Sequence, residues 1–344
     1  MTNKELAKII GVSEATVSLV INGKNGISEK TRKKVLARIK ECGYEDMIKN
    51  VPERSINIHT DQIGKNIGFI LYKDGGQLLG LNSFFPLIFN GIESTARKHN
   101  YNLLVINIDR QEIETQIRYI EESNCRGFVI FATEMQEPEI SKFEDMGIPF
   151  VIFDNYFINS NINAVKVNNE QGTYLAVKYL YQMGHRRVGY LSSGLNINSF
   201  HEREKCAKEN MRNMGMENPE RYSYTLGYPV DNAEARMTEL LNDHVELPTA
   251  FITDNDLVAI GAVQALKKAG ISVPDEISVI GYDDRPICEM VEPTLSTIRL
   301  PREYFGAEAV EKLVSLIKGN VKGVSKTEIN GQLIVRESVK NINL

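Results

Sequence analysis

The stretch GVSEATVSLVINGK, Gly11 to Lys24, decides how the amino-terminal end is read. Just upstream, Thr2 and Glu5 have the spacing of a capping box, and Leu6, Ile9 and Ile10 follow at helical intervals. Gly11 suits the left-handed residue that closes a helix. Ser13 is then the N-cap of a second helix, Glu14 to about Ile21, whose Val17, Val20 and Ile21 face inward. A polar turn, Asn22 to Gly26, leads to a third helix capped by Ser28, with Val35, Leu36 and Ile39 as its stripe and Cys42-Gly43 at its end. Short helices about a tight turn make a helix-turn-helix. The second helix offers short side chains at its N-terminal end, the part that meets a major groove. A plain helical cap on a larger domain would show the same pattern, so charge is the second criterion.

Residues 1–50 carry ten Lys or Arg against six acids, a net of +4; the whole chain is −5, so the remainder carries −9. A basic head on an acidic body fits phosphate contact by the head alone. Lys30, Arg32, Lys33, Lys34 and Arg38 would supply the sequence-independent share of that affinity.

At 344 residues the chain has room for two or three domains. Residues 1–46 read as the all-α head, 47–65 as a linker containing Pro52, and 66–344 as an α/β body. In the body, short apolar runs such as IGFILY (67–72), GFVIF, PFVIF and ISVIGY alternate with helical segments. This alternation predicts parallel sheets with helices on both faces, in two doubly wound halves. The expected division is about 66–163 with 295–320 for the first half and about 164–292 with 325–338 for the second.

Ligands of such sheets bind beyond the carboxyl ends of the strands. The residues placed there are Phe84 and Phe85, Asp154 and Asn155, Arg203, Asp254, Asn255 and Asp256, and Asp283 and Asp284. Carboxylates accept paired hydroxyls, a guanidinium donates a planar fork, and aromatic faces cover C–H patches. That set fits a sugar or another polyhydroxyl solute. Any one of the strand-end acids could instead cap the following helix.

The four cysteines, Cys42, Cys125, Cys206 and Cys288, have no metal-ligand spacing and no disulfide pattern, which points to a reducing cytoplasm. No export signal or membrane span is expected. The five histidines are scattered, and no P-loop or dinucleotide glycine motif is present, so neither catalysis nor a cofactor is expected.

Over nearly its whole length the sequence resembles the LacI/GalR family of bacterial transcription regulators. The resemblance is carried by KELAKIIGVSEATVSLVINGK, ISEKTRKKVLARIKECGY, NSFFPLIFNGIESTARKHNYNLLV, GIPFVIFDN, YLAVKYLYQMGHRRVGYLS, AFITDNDLVAIGAVQALKKAGISVPDEISVIGYDD and PTLSTIRLPREYFGAEAVEKL. It implies a body of periplasmic-binding-protein type I and a dimeric repressor on near-palindromic operator DNA, controlled by a small effector in the cleft. It places Glu14, Ala15, Thr16 and Leu19 at base edges, and Ser13, Ser18, Asn22, Ser28 and Thr31 near phosphates. It places Phe84 and Phe85 against the effector, with Asp154, Asn155, Arg203, Asn255, Asp256 and Asp283 around its polar groups.

Three departures stand out. Leu19 occupies a position where many relatives have arginine; leucine cannot pair with guanine but can touch a thymine methyl. The Ala-x-x-Leu hinge helix expected after Gly43-Tyr44 is replaced by EDMIKNVPERSINIHTDQ; Met47, Ile48 or Val51 could serve as wedges, but the stretch reads better as a plain linker, in which Pro52 would end any helix. Cys206 and Ser83 replace the usual glycine and proline near the cleft, which bears on effector identity. The rival reading, a solute-binding protein of a sugar transport system, shares the body but needs an export signal and has no use for a basic head.

Overall fold

The computed structural model describes residues 3–21, 31, 34–36, 38–39, 65–75, 85–320 and 323–343. The chain falls into two compact units, Met1–Ile63 and Gly64–Leu344. Most of the expected linker, and Thr2, Asn22, Ser28 and Cys42-Gly43, lie outside the described residues.

In the first unit, α1 (Asn3–Ile10) and α2 (Glu14–Ile21) are joined by a three-residue turn. Gly11 has φ +73°, and its N–H and that of Val12 both return to the Ala7 carbonyl, at 3.0 and 3.1 Å. A Cβ there would meet nothing within 4 Å, so backbone conformation rather than space selects glycine. Leu6, Ala7, Val17, Val20 and Ile21 pack with Val35 and Ile39 into a small core, with Val12 and Leu36 at its edge. Residues 31, 34–36, 38 and 39 are helical.

The second unit holds two six-stranded sheets. The first lobe is built on β1 (Asn66–Lys73), β2 (Asn102–Asp109), β3 (Cys125–Phe131), β4 (Phe150–Phe153), β5 (Ala164–Val167) and β11 (Lys326–Ile329), in the order β11-β5-β4-β3-β1-β2 and parallel throughout. The second lobe is built on β6 (Val188–Ser192), β7 (Tyr224–Thr225), β8 (Ala250–Thr253), β9 (Ser278–Asp283), β10 (Ser296–Arg299) and β12 (Gln332–Ile334), in the order β12-β10-β9-β8-β6-β7, with only β12 antiparallel.

Alternate residues of each strand supply the two faces. Phe69, Val129 and Val151 pack with α3 (Phe85–Lys98) and α10 (Arg302–Ile317). Ile70, Ile130 and Ile152 pack with α4 (Ile113–Glu122) and α5 (Ile140–Glu144). In the second lobe, Val188, Ile252 and Ile280 meet α6 (Asn169–Gln182) and α7 (Asn198–Asn213). Phe251 and Val279 meet α8 (Val230–Asn242) and α9 (Asp256–Lys268).

The lobes divide the chain differently from the expected limits. β5, at 164–167, pairs with β4 and so belongs to the first lobe. β10, at 296–299, pairs with β9 in the second, and β11, at 326–329, returns to the first. The chain therefore passes between lobes three times: after β5, before α10, and between β11 and β12. The strand AVKV is buried at all four positions, and such a short run carries no periodicity that names its sheet. Pairing, not composition, assigns it.

Candidate functional site

The head presents one face of α2. Ser13 Oγ accepts the Thr16 N–H at 3.2 Å and shares a 2.8 Å hydrogen bond with Thr16 Oγ1, which is the N-cap geometry expected from sequence. Ser13, Glu14 and Ala15 are exposed, as is Thr31, while Thr16, Ser18 and Leu19 are half-buried. Val17, Val20 and Ile21 are buried on the opposite side. The N-terminal turn of α2 is thus a solvent-facing strip of small and polar groups on an anchored helix. Asn22 and Ser28 lie outside the described residues.

In the body, functional groups gather at the carboxyl ends of strands. Asp154 follows β4 with φ +62°, and Asp283 ends β9 with φ +109°, both in the region that L-residues rarely adopt. Arg203, on the first half of α7, is 4% exposed. Its Nε donates to Asn169 Oδ1 at 2.9 Å; its NH1 donates to the Asp254 carbonyl at 2.7 Å and to Asp283 Oδ1 at 3.3 Å. The guanidinium lies 3.8 Å over the Tyr282 ring. Thr133, at the end of β3, donates to Asp154 Oδ2 at 2.6 Å. Burial pushes the Asp154 carboxyl up to about 6; the Thr133 hydroxyl and Arg203 pull it down, and Asp283 adds to the rise. Asp154 of the first lobe and Arg203 and Asp283 of the second therefore share one electrostatic environment.

The remaining expected residues have defined contacts within the protein. Phe85 is half-buried, stacked on Phe69 at 5.8 Å and edge-on to Phe131 at 6.0 Å, so it continues the aromatic core of the first lobe. Phe84 lies outside the described residues. Asn155 donates to the Ala132 and Met135 carbonyls at 2.8 and 3.1 Å and accepts from Asn198 of the other lobe at 3.1 Å, which makes it a tie between lobes. Asn255 caps α9, its Oδ1 accepting from the Leu257 and Val258 N–H groups at 3.0 and 3.2 Å. Its buried Nδ2 has no protein partner. Asp256, expected against the effector, is 0% exposed and committed within the second lobe: Thr297 Oγ1 donates to it at 2.6 Å and the Arg285 N–H at 2.7 Å. Burial and Asp283 both push its carboxyl up. Asp254 likewise is taken by the Tyr190 hydroxyl at 2.8 Å and by Ser193 Oγ at 2.6 Å.

Sequence reasoning missed Thr133, Asn169, Tyr282 and Glu202. Thr133 obeys the same strand-end rule that found Asp154. Tyr282 sits one residue before Asp283, over Arg203. Asn169 opens α6 and Glu202 neighbours Arg203, and nothing in their spacing marks them.

A helix-turn-helix head joined to a two-lobed body with convergent buried charges defines an effector-controlled DNA-binding regulator. The comparisons agree. The model "Bacterial regulatory proteins, lacI family" matches residues 2–46, and "Periplasmic binding protein-like domain" matches 177–339. The HTH-type transcriptional repressor PurR of Vibrio vulnificus (strain CMCP6) is 30% identical over 346 residues, covering 99% of each chain. Among solved structures, the complex of the transcriptional regulator CelR with cellobiose superposes with a TM-score of 0.73 at 26% identity, covering 98% of this chain and 99% of that one. The lac repressor dimer bound to operator and the anti-inducer ONPF shares the fold, with a TM-score of 0.72 at 24% identity and 99% coverage of both. The chain belongs to the LacI family of bacterial regulators. It is a DNA-binding transcription repressor controlled by a small-molecule effector. The family is one of transcriptional regulators rather than enzymes. Among the described residues, no helix is long and apolar enough to cross a membrane, and no cluster of His, Cys, Asp or Glu is placed to hold a metal ion.

Proposed function

We propose that this repressor acts in the cytoplasm as a homodimer on a near-palindromic operator, and that its effector is a neutral, hydroxyl-rich molecule of the sugar class. The effector binds between the lobes, where Asp154, Arg203 and Asp283 meet its hydroxyls. The carrying observation is the convergence of those three buried charges from two lobes. Carboxylates and a guanidinium together can accept from and donate to adjacent hydroxyls. Support comes from CelR, whose structure holds cellobiose, and from the lac repressor, seen as a dimer on operator DNA. On the DNA side, Glu14, Ala15, Thr16 and Leu19 read bases, and Ser13, Ser18, Asn22, Ser28 and Thr31 approach phosphates. Residues 1–46 form the reading head, 47–65 the linker and 66–344 the effector body.

The test is selection of binding sites from a random duplex pool with the full-length protein, repeated with cellobiose and a panel of hexoses and pentoses. A recovered palindrome, bound more than about a thousandfold more tightly than random DNA, is expected. A sugar that changes this affinity is expected with it. Salt-steep binding without a consensus, unchanged by every sugar, would overturn the reading.

A further inference from the structure

Arg203 is oriented from behind by a chain of hydrogen-bonded groups in which Asn169 and Lys166 are buried and Glu202 is half-buried. Arg203 Nε donates to Asn169 Oδ1, and Asn169 Nδ2 donates to Glu202 Oε2 at 2.6 Å. The other Glu202 oxygen, Oε1, accepts from Lys166 Nζ at 2.6 Å. Lys166 stands on β5 of the first lobe and is 6% exposed; Asn169 and Glu202 belong to α6 and α7 of the second. Lys166 also pairs with Glu328 of β11 at 3.2 Å and lies 3.9 Å over the Tyr156 ring. Burial works against the charge on its ammonium, but Glu202, with Tyr156 and Glu328 behind it, outweighs that and holds the pKa above the ordinary lysine value.

A carboxamide has one donating and one accepting end, and its partners decide which way round it sits. An ionised carboxylate only accepts, so Glu202 takes the NH2 end of Asn169. The Asn169 oxygen is thereby turned toward Arg203, which only donates. A reversed Asn169 would set N–H against N–H.

We propose that Glu202, charge-balanced by Lys166, is a positioning residue for effector recognition: it sets the Asn169 carboxamide and through it the direction of the Arg203 guanidinium. Because Lys166 is anchored in the first lobe, that direction depends on how the two lobes are seated. This inference rests on the assignment of the effector to Arg203.

The test substitutes Glu202→Gln in the full-length protein. A glutamine can either donate or accept, so it no longer dictates the Asn169 orientation. The first readout needs no ligand. The Arg203 Nε–H resonance, assigned by its loss in Arg203→Lys, is expected to exchange with solvent at least about tenfold faster in the variant. The second readout uses cellobiose and whichever panel sugar most raises the wild-type Tm. Affinity for that sugar is expected to fall roughly tenfold, the scale of one hydrogen bond to a charged group, while sugar-free operator affinity changes less than about twofold. Lys166→Met, which frees Glu202 from its ion pair with the first lobe but leaves it an acceptor, is expected to shift both readouts in the same direction by less, and to add nothing to Glu202→Gln in the double variant; it also serves where Glu202→Gln fails to fold. Unchanged exchange and unchanged sugar affinity in folded variants overturn the proposal. Faster exchange in a protein that binds no sugar upholds the positioning role and refutes the sugar reading instead.

Discussion

Asp154 and Arg203 show how much a single side chain decides here. Asp154 is a carboxyl raised to about 6 from an ordinary value near 4. The folded state therefore holds its proton more tightly than the unfolded chain, and stability falls as pH rises from about 4 through 6. In Asp154→Asn, whose side-chain oxygen can still accept from Thr133, that loss is absent. The variant should gain on wild type across this window by at most about 3 kcal/mol, read as the pH dependence of the Tm difference. Arg203→Lys keeps the charge but loses the planar fork that reaches Asn169, Asp254 and Asp283 at once. Sugar titration should show affinity down by tenfold or more, roughly one to two charge-assisted hydrogen bonds, with operator binding retained. Asp256, held by Thr297 and the Arg285 backbone, belongs to a different class: its substitution should lower Tm before it alters recognition.

The helices and strands differ in how far sequence announces them. α1 and α2 were legible because their signals are local: Gly11 stops one helix and Ser13 starts the next. Ser13→Ala should cost about 1 kcal/mol of head stability, measurable in the head's own calorimetric transition. The strand-end rule picked out Asp154, Arg203 and Asp283, which the fold brings together, because the carboxyl ends of parallel strands are where side chains escape the sheet. It could not separate a ligand-facing residue from a cap, since both roles begin with a polar residue after a strand. Asn255 caps α9 through its Oδ1, which leaves its Nδ2 without a protein partner, and Asp256 lies behind it. Contacts made across the fold were not legible at all. Gly172 on α6 looks like an ordinary helical glycine, yet a Cβ there would collide with the Tyr282 hydroxyl, whose ring carries Arg203. Gly172→Ala should therefore lower both stability and sugar affinity, seen as a reduced Tm and a smaller sugar-induced Tm rise.

At the scale of the whole molecule, the alternation of apolar runs and helical segments was enough for two doubly wound lobes, but not for their boundaries. Each crossing is made by a short segment whose sheet is set by pairing with residues far away: Ala164 by Ile152, Lys326 by Ala164, Thr297 by Gly281. The same crossings carry the ties between lobes. Arg302, opening α10 of the first lobe, donates to the Asp284 carbonyl of the second at 2.7 Å. The Asn155–Asn198 and Lys166–Glu202 contacts join the lobes elsewhere. On the proposed reading, an effector bound at Asp154 and Arg203 would act on a body already braced at several points, so its differential affinity for two seatings of the lobes would set how far it can shift DNA binding.

The return of the chain to both sheets near its end has a genetic consequence. Residues 321–344 hold β11, an edge strand of one sheet, and β12, an edge strand of the other. They also hold Ser338, which donates to the Val279 carbonyl at 2.6 Å, and the Lys340 carbonyl, which His185 meets at 3.1 Å. A stop codon at 321 spares the entire head and Asp154, Arg203 and Asp283, yet it removes an edge strand from each lobe at once. Termination at that codon should behave as a full loss-of-function allele, derepressing a reporter as completely as a deletion of the gene.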